Sequence, residues 1–280
     1  MMGWMQDWNM GGIFAVSMLG SGGAAYIAYR ARSLSASGAW SAAVMGAGFV
    51  TLGGSLWIGL LLAFFLSSSA WSKWKKHHRQ KQMAEANYAK SSRRDAGQVW
   101  ANGGLGLALC AGNALWPDPG WLYAFVGVMG AVNADTWATE IGALSRTAPR
   151  HVLGGKPVPP GTSGGVTPLG SAAAVAGAAF IGAVAALLTT AEAGASPGAL
   201  IAVAAAAGTF GAFADSLLGA TVQGMYRCRV CGSETERGEH CGAAAQATRG
   251  RAWMTNDIVN LTSSAAAGLL AWGIGGMIFT

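Results

Sequence analysis

The chain has 280 residues, 52% of them hydrophobic and only 11% charged, with 43 glycines and a mean hydropathy of +0.37. Soluble domains carry about 25% charged residues, so this composition excludes an ordinary soluble enzyme or binding module. The net charge of +6 does not mark a nucleic-acid binder, because no basic stripe alternates with exposed aromatics. It reads instead as an orientation signal and as attraction to anionic headgroups.

Apolar stretches recur at 11–29, 39–70, 97–116, 121–145, 164–190, 197–224 and 258–279. Several reach the roughly 20 residues that cross a bilayer as a helix. The expected fold is all-α: a polytopic integral membrane protein, one membrane domain over 1–280, with about seven transmembrane segments. Residues 1–29 show no basic stretch ahead of the apolar run and no small-residue cleavage site, so they read as a retained segment rather than a signal peptide. All 18 lysines and arginines fall in four clusters, Arg30–Arg32, Lys73–Arg94, Arg146–Lys156 and Arg227–Arg251. The turns at Thr51–Gly54, Pro117–Gly120 and Glu192–Gly198 hold none. Positive loops stay in the cytoplasm, which predicts an inner-membrane protein with both termini outside. It also makes 39–70 a hairpin that leaves and returns. Its first arm, about 13 residues or roughly 20 Å, is short, so it starts near Ser35 or runs only part way.

The basic cytoplasmic loop 72–96 reads as partly helical, with His77 and His78 solvated among lysines. Arg93, Arg94, Asp95 and Asn102 lie close enough to the next helix to reach a site. Two helical hairpins follow, 97–145 and 164–224. They share Ala-Asp-Thr/Ser at Asp135 and Asp215, 80 positions apart, and each is expected to open on paired glycines, Gly103-Gly104 and Gly164-Gly165. Intramembrane acids cost at least ~2.5 kcal/mol each and mark functional cavities. Asp135, Asp215, Asp257 and Asn102 all lie within twelve residues of a basic cluster, and so could line one pocket open to the cytosol. Ala131, Thr139 and Gly142 share the face of Asp135; Gly208, Gly211, Ala212 and Gly219 flank Asp215. Small residues there permit close helix approach.

Paired aspartates on a cavity suit Mg²⁺, which takes one or two carboxylates plus substrate phosphates. An ion pair or a transporter's proton relay is the alternative. Glu140 sits about 140° round the helix from Asp135, so it points elsewhere and is expected to meet a basic residue of a neighbouring loop. The Gly/Pro-rich loop 146–163 offers Arg146, Arg150 and Lys156 ahead of Gly161-Thr162-Ser163-Gly164-Gly165. Glycine-rich backbone entering a helix presents free N–H groups to a phosphate.

The cytoplasmic loop 225–254 carries Cys228-x-x-Cys231 and adjacent His240 and Cys241. That set suits a structural Zn²⁺, although the adjacent pair is cramped on one tetrahedral ion. Asn256, Asp257 and Asn260 then open the last helix, where one of them or Thr255 serves as a cap.

The stretches "RRDAGQVWANGG", "ADTWATEIGALS", "GKPVPPGTSGGVTPLG", "ADSLLGATVQ", "YRCRVCG…HCG" and "WMTNDIVNLTSS" resemble the transmembrane protein 19 family, which includes phytyl-phosphate kinases. The resemblance spans residues 11–279. It implies a kinase that uses CTP or another nucleoside triphosphate to convert an isoprenyl monophosphate in the membrane to the diphosphate. Asp135, Asp215 and Asp257 would then coordinate Mg²⁺, and Lys156 with Gly161–Gly165 would bind phosphate. Arg93, Arg94 and Asn102 would help neutralise the acceptor phosphate. Thr139, Glu140, Ser216, Asn256 and Asn260 are further candidate substrate- or phosphate-binding residues. The rival reading is a transporter or flippase for an anionic lipid or small ion. Transporter repeats are often inverted, whereas these hairpins enter from one side. A scaffold built on the zinc loop would leave Asp135 and Asp215 unexplained.

Overall fold

A computed structural model describes residues 10–189 and 196–279. The N-terminal residues 1–9 and most of the predicted turn at 192–198 lie outside the described residues. The helices are α1 (Met10–Arg30), α2 (Ala36–Lys73), α3 (Arg79–Glu85), α4 (Ala96–Leu115), α5 (Pro119–Gly142), α6 (Pro168–Leu188), α7 (Pro197–Thr221) and α8 (Asn256–Phe279). Of the described helices, α1, α2, α6, α7 and α8 are long and apolar enough to cross a membrane. The other two long helices, α4 and α5, carry polar residues into the bundle.

The helix starts follow from local chemistry. Ser35, Asp95, Asp118, Thr167 and Ser196 each accept a backbone N–H of their own first turn. Asp95 forms a reciprocal capping box with Gln98, and Pro119, Pro168 and Pro197 sit where a missing N–H costs nothing.

Element α2 is a hairpin. A straight helix of its 38 residues would be about 57 Å long. Gly54 interrupts it at φ 69°, ψ −156°, backbone that is essentially restricted to glycine. The arms 36–53 and 55–73 then lie side by side. Phe49 and Trp57 both pack on Phe125, with centroids 5.7 and 4.4 Å away. The two ends meet at Arg94, whose carbonyl accepts from Ser35 N (2.9 Å) and whose guanidinium donates to Ser68 and Ser69 (2.9 and 3.0 Å). The returning hairpin predicted from the charge pattern is thus present, its first arm beginning at Ala36 and its turn at Gly54.

Helix α5 runs through the centre. Every residue from Tyr123 to Ala134 is buried, as expected of a helix apolar all round. It packs on α6, α7 and α8 through small residues. A Cβ on Gly208 would fall 2.7 Å from the carbonyl carbon of Gly130 and 2.8 Å from Ala178 Cβ. Asn133, fully buried, bridges α2 and α6, accepting from Ser67 Oγ (3.0 Å) and donating to Gly177 O (2.7 Å).

Two expectations change here. Gly103-Gly104 lies inside α4, where Gly103 receives Met45 and Leu61 of both α2 arms. Gly164-Gly165 precedes α6, which Thr167 and Pro168 open instead. The polar segments also hold short strands rather than plain loops. β1 (Arg150–His151) pairs with β2 (Gly165–Val166). In the cysteine loop β3 (Met225–Arg227) lies between β4 (Glu234–Thr235) and β7 (Gln246–Arg249), and β5 (Glu239–His240) pairs with β6 (Ala243–Ala244). All these pairings are antiparallel.

Gly208→Val should therefore destabilise the bundle by about 1–3 kcal/mol or more through overpacking, read as a lower Tm in detergent. Gly23→Ala, with no atom within 4 Å of the added Cβ, should leave Tm at or slightly above the wild-type value. Equal Tm values for both variants would overturn the α5–α7 contact.

Candidate functional site

At the end of the bundle that carries the basic clusters lies a cavity of about 740 Å³. Its wall takes Asp135, Thr139 and Glu140 from the last turns of α5, Asp215 and Ser216 from α7, and Asn256, Asp257 and Asn260 from the start of α8. The loop Gly161–Gly165 closes one side, and Arg94 and Asn102 lie on another.

The two repeated aspartates come together because α5 and α7 cross at Gly130 and Gly208, one to two turns before them. Both lie on the cavity wall, where Asp215 accepts from Ser263 Oγ (3.1 Å). Asp257 is different: Lys90 Nζ donates to its Oδ2 and also to Asp95 Oδ1 (3.0 Å). The other oxygen of Asp257 and Oδ1 of Asn260 are buried without a hydrogen-bond partner. Both are bare acceptors on the cavity wall, which suits a cation or a donor-bearing ligand. Among the described residues Asp135, Asp215 and Asp257 share the cavity wall without forming a close group of metal-ligating atoms.

Glu140 meets the basic loop. Its Oε2 pairs with Lys81 Nζ at 2.6 Å and its Oε1 accepts from Ser72 Oγ at 2.6 Å. Lys81 is only 2% exposed and also donates to the carbonyls of Trp71 and Trp74 (2.7 and 3.0 Å). This pair braces the cavity wall, so Glu140 is engaged by protein.

The glycine loop is shaped for close approach. Gly161 and Gly164 both have φ 82°, and a Cβ on Gly164 would meet Ala220 Cα at 2.9 Å and Ser216 O at 3.0 Å. Ser163 Oγ donates to Gln223 Oε1 (2.9 Å). The loop reaches the cavity but stops short of a helix N-terminus, because the Thr167 hydroxyl caps α6.

Two predicted residues lie elsewhere. Lys156 is exposed on a tight turn in which His151 N donates to Lys156 O (2.9 Å) and Arg150 Nη1 to Gly155 O (2.8 Å). That turn folds on itself and takes Lys156 off the cavity wall. Arg93 Nε donates to Leu34 O (2.9 Å) and its guanidinium lies over Tyr29, 5.1 Å from the centroid, so it fastens the end of α1. The cavity's cations are Lys81, Lys90 and Arg94 of the folded 72–96 segment and Arg146 at the start of the glycine/proline-rich loop.

Glu236 is a further wall residue that no sequence pattern marked. It hangs from the cysteine loop and accepts from Gln223 Nε2 (2.9 Å) and Ala89 N (3.0 Å). Burial pushes its pKa up, opposed by those two donors. Burial and the charge of Glu236 likewise push the pKa of the Tyr88 phenol, also on this wall, up. The cysteines and His240 are not on this wall.

Residues 19–268 match the family described as integral membrane protein DUF92. The chain belongs to that family. It is 33% identical over 233 residues to Protein PGR of Arabidopsis thaliana, covering 74% of this chain and 77% of that protein. These findings agree with the resemblance read from the motifs and with an integral membrane protein. No solved structure matches the chain.

Lys81→Met should destabilise this family member by about 3–5 kcal/mol, because it strands a buried carboxylate. The double variant Lys81→Met/Glu140→Gln should recover much of that loss in thermal unfolding. Strict additivity of the two single effects would show the pair to be uncoupled.

Proposed function

We propose that the protein is a membrane-embedded kinase. It transfers the γ-phosphoryl group of CTP or another nucleoside triphosphate to a prenyl monophosphate, giving the prenyl diphosphate and the nucleoside diphosphate. The reading rests above all on the cavity: two carboxylates from Asp135 and Asp215 converge in it with a glycine-rich loop, at the charged end of an apolar bundle. The same end carries all 18 lysines and arginines, which favours a site open to the cytoplasm of the inner membrane.

Phosphoryl transfer asks the protein mainly for positioning and charge neutralisation. An oxygen of the acceptor phosphate attacks the γ-phosphorus, and the bond to the β–γ bridging oxygen breaks. The acceptor is already ionised, so no general base is required. Asp135 and Asp215 would hold Mg²⁺, which supplies neutralisation of the phosphate charge. In the Gly161–Gly165 loop Thr162 N, Gly165 N and the Ser163 hydroxyl are bonded within the protein, so the donors to phosphate oxygens would be the remaining backbone N–H groups and the Thr162 hydroxyl. Arg94, fixed by Ser68 and Ser69, would face the acceptor.

A second, apolar crevice of about 110 Å³ supports the lipid half of this reading. It lies between α1, the α2 hairpin and α4, among Ala25, Ala42, Met45, Ile58 and Leu61, and it shares Arg94, Gln98 and Asn102 with the polar cavity. The phosphate of an amphiphile can sit at Arg94 with the nearest part of its chain in the crevice and the rest among lipid tails.

With Mg²⁺, labelled nucleoside triphosphates and prenyl monophosphates of rising length, purified protein in detergent should form labelled prenyl diphosphate. Asp135→Asn and Asp215→Asn should each lower kcat by at least about 10²-fold. No transfer with any pair, alongside metal- or proton-coupled uptake into liposomes, would overturn the kinase in favour of transport. Ala42→Phe, which fills the crevice, should raise KM for the longest chain about tenfold and leave kcat unchanged. An unchanged KM would move the chain out of the crevice.

A further inference from the structure

The cysteine loop has its own geometry, separate from the polar cavity. Cys228 Sγ, Cys231 Sγ, His240 Nδ1 and Cys241 Sγ all lie within 4.8 Å of one another, and they are the only such group among the described residues. His240 Nδ1 is 3.6 Å from Cys231 Sγ and 3.2 Å from Cys241 Sγ. With metal–sulfur and metal–nitrogen bonds of about 2.3 and 2.0–2.1 Å, a tetrahedral ion separates its ligands by about 3.6 Å (N to S) and 3.8 Å (S to S). The observed spacing falls close to that. The adjacency of His240 and Cys241, cramped on paper, is resolved by the backbone: Cys241 has φ 54° and Gly242 φ 71°, a turn that swings both side chains to one side. The first pair has the matching arrangement, with Val230 N and Cys231 N donating to Cys228 Sγ (3.4 and 3.5 Å) and Gly232 at φ 74°. Cys228, Cys231 and Cys241 are unbridged.

We propose that these four side chains bind one Zn²⁺, and that the ion holds the strap that carries Glu236 into the cavity wall. Three thiolates and one imidazole in tetrahedral array suit zinc, and they do not suit the oxygen-seeking magnesium. Residues 232–239 form a loop whose base is closed by the two ligand pairs. That loop grips the far side of the cavity. Glu236 N and Thr235 Oγ1 donate to Asn87 O (3.0 Å each), Arg237 Nε donates to Tyr88 O (2.6 Å), and Ala89 N donates to Glu236 Oε2 (3.0 Å). Lys90, the partner of Asp257, is the next residue. The strands at the base of the loop are only two residues long, too short to order it alone. A metal supplies that order, because its binding free energy becomes folding free energy of the loop. The inference is independent of the phosphotransferase reading.

The full-length protein, purified without chelator, should contain about one zinc per chain by plasma mass spectrometry. Cobalt(II) exchanged into it should give sulfur-to-metal charge transfer and the intense ligand-field bands of a tetrahedral ion. Cys231→Ser and His240→Ala should lose both signals while helix content by circular dichroism stays at the wild-type level. If a variant also loses helix content, stripping zinc from the wild-type protein with a chelator gives the same comparison without a substitution. Amide exchange at Asn87–Lys90 should rise at least about tenfold in the metal-free protein. Less than about a tenth of an equivalent of metal, stoichiometric iron, octahedral cobalt bands or a disulfide among these cysteines would overturn the zinc site. Unchanged exchange at Asn87–Lys90 after zinc removal would overturn the strap.

Discussion

The contact between Gly130 and Gly208 sets the geometry of everything at the charged end of this molecule. With no Cβ on either residue, α5 and α7 approach until backbone meets backbone. Asp135 and Asp215, five and seven residues further along, are then brought to one cavity. The same device recurs around α5: Gly211 receives Ala131, and Gly142 and Gly170 face each other at the α5–α6 crossing. In a bilayer the hydrophobic effect does not drive helices together, so fit between small residues has to do it. A buried central helix that is apolar on all sides is the result, and its polar end is the cavity floor.

Over that floor the protein lays its polar segments, and it satisfies them in detail. Lys81 enters the interior but is met by Glu140 and two carbonyls, which offsets the desolvation that makes lone buried charges expensive. Lys90 spans Asp95 and Asp257, joining the cap of α4 to the first turn of α8. Glu236 joins the cysteine loop to the segment after α3. By contrast, Asp257 Oδ1 and Asn260 Oδ1 are left bare.

Much of this was legible in the residues themselves. The apolar runs and the segregation of lysine and arginine specify a membrane bundle with its basic loops at one end, because hydrocarbon excludes charge and the loops must carry it. Gly54 could be placed at a turn because charge-free residues there separate two apolar arms that must both return. Asp135 and Asp215 could be paired because they share a local motif and small-residue neighbours. The short strands of the polar segments carried no such signal: pairings of two or three residues have too little period to be seen.

The sequence by itself determined the class of the fold, the end of the bundle that bears the cavity, and the carboxylates and glycine loop found on its wall. These follow from composition and local spacing, which act over one or two helical turns. Only the tertiary structure decided which cations serve the cavity. Lys156 and Lys81 look alike in a basic loop, but one is carried away by a tight turn and the other is drawn inside to Glu140. It also decided that Asp257 is held by Lys90 rather than gathered with the other two aspartates, and that Glu236 arrives from a distant loop. Those outcomes depend on contacts between segments 59 to 167 positions apart, and no local pattern encodes a distance of that kind.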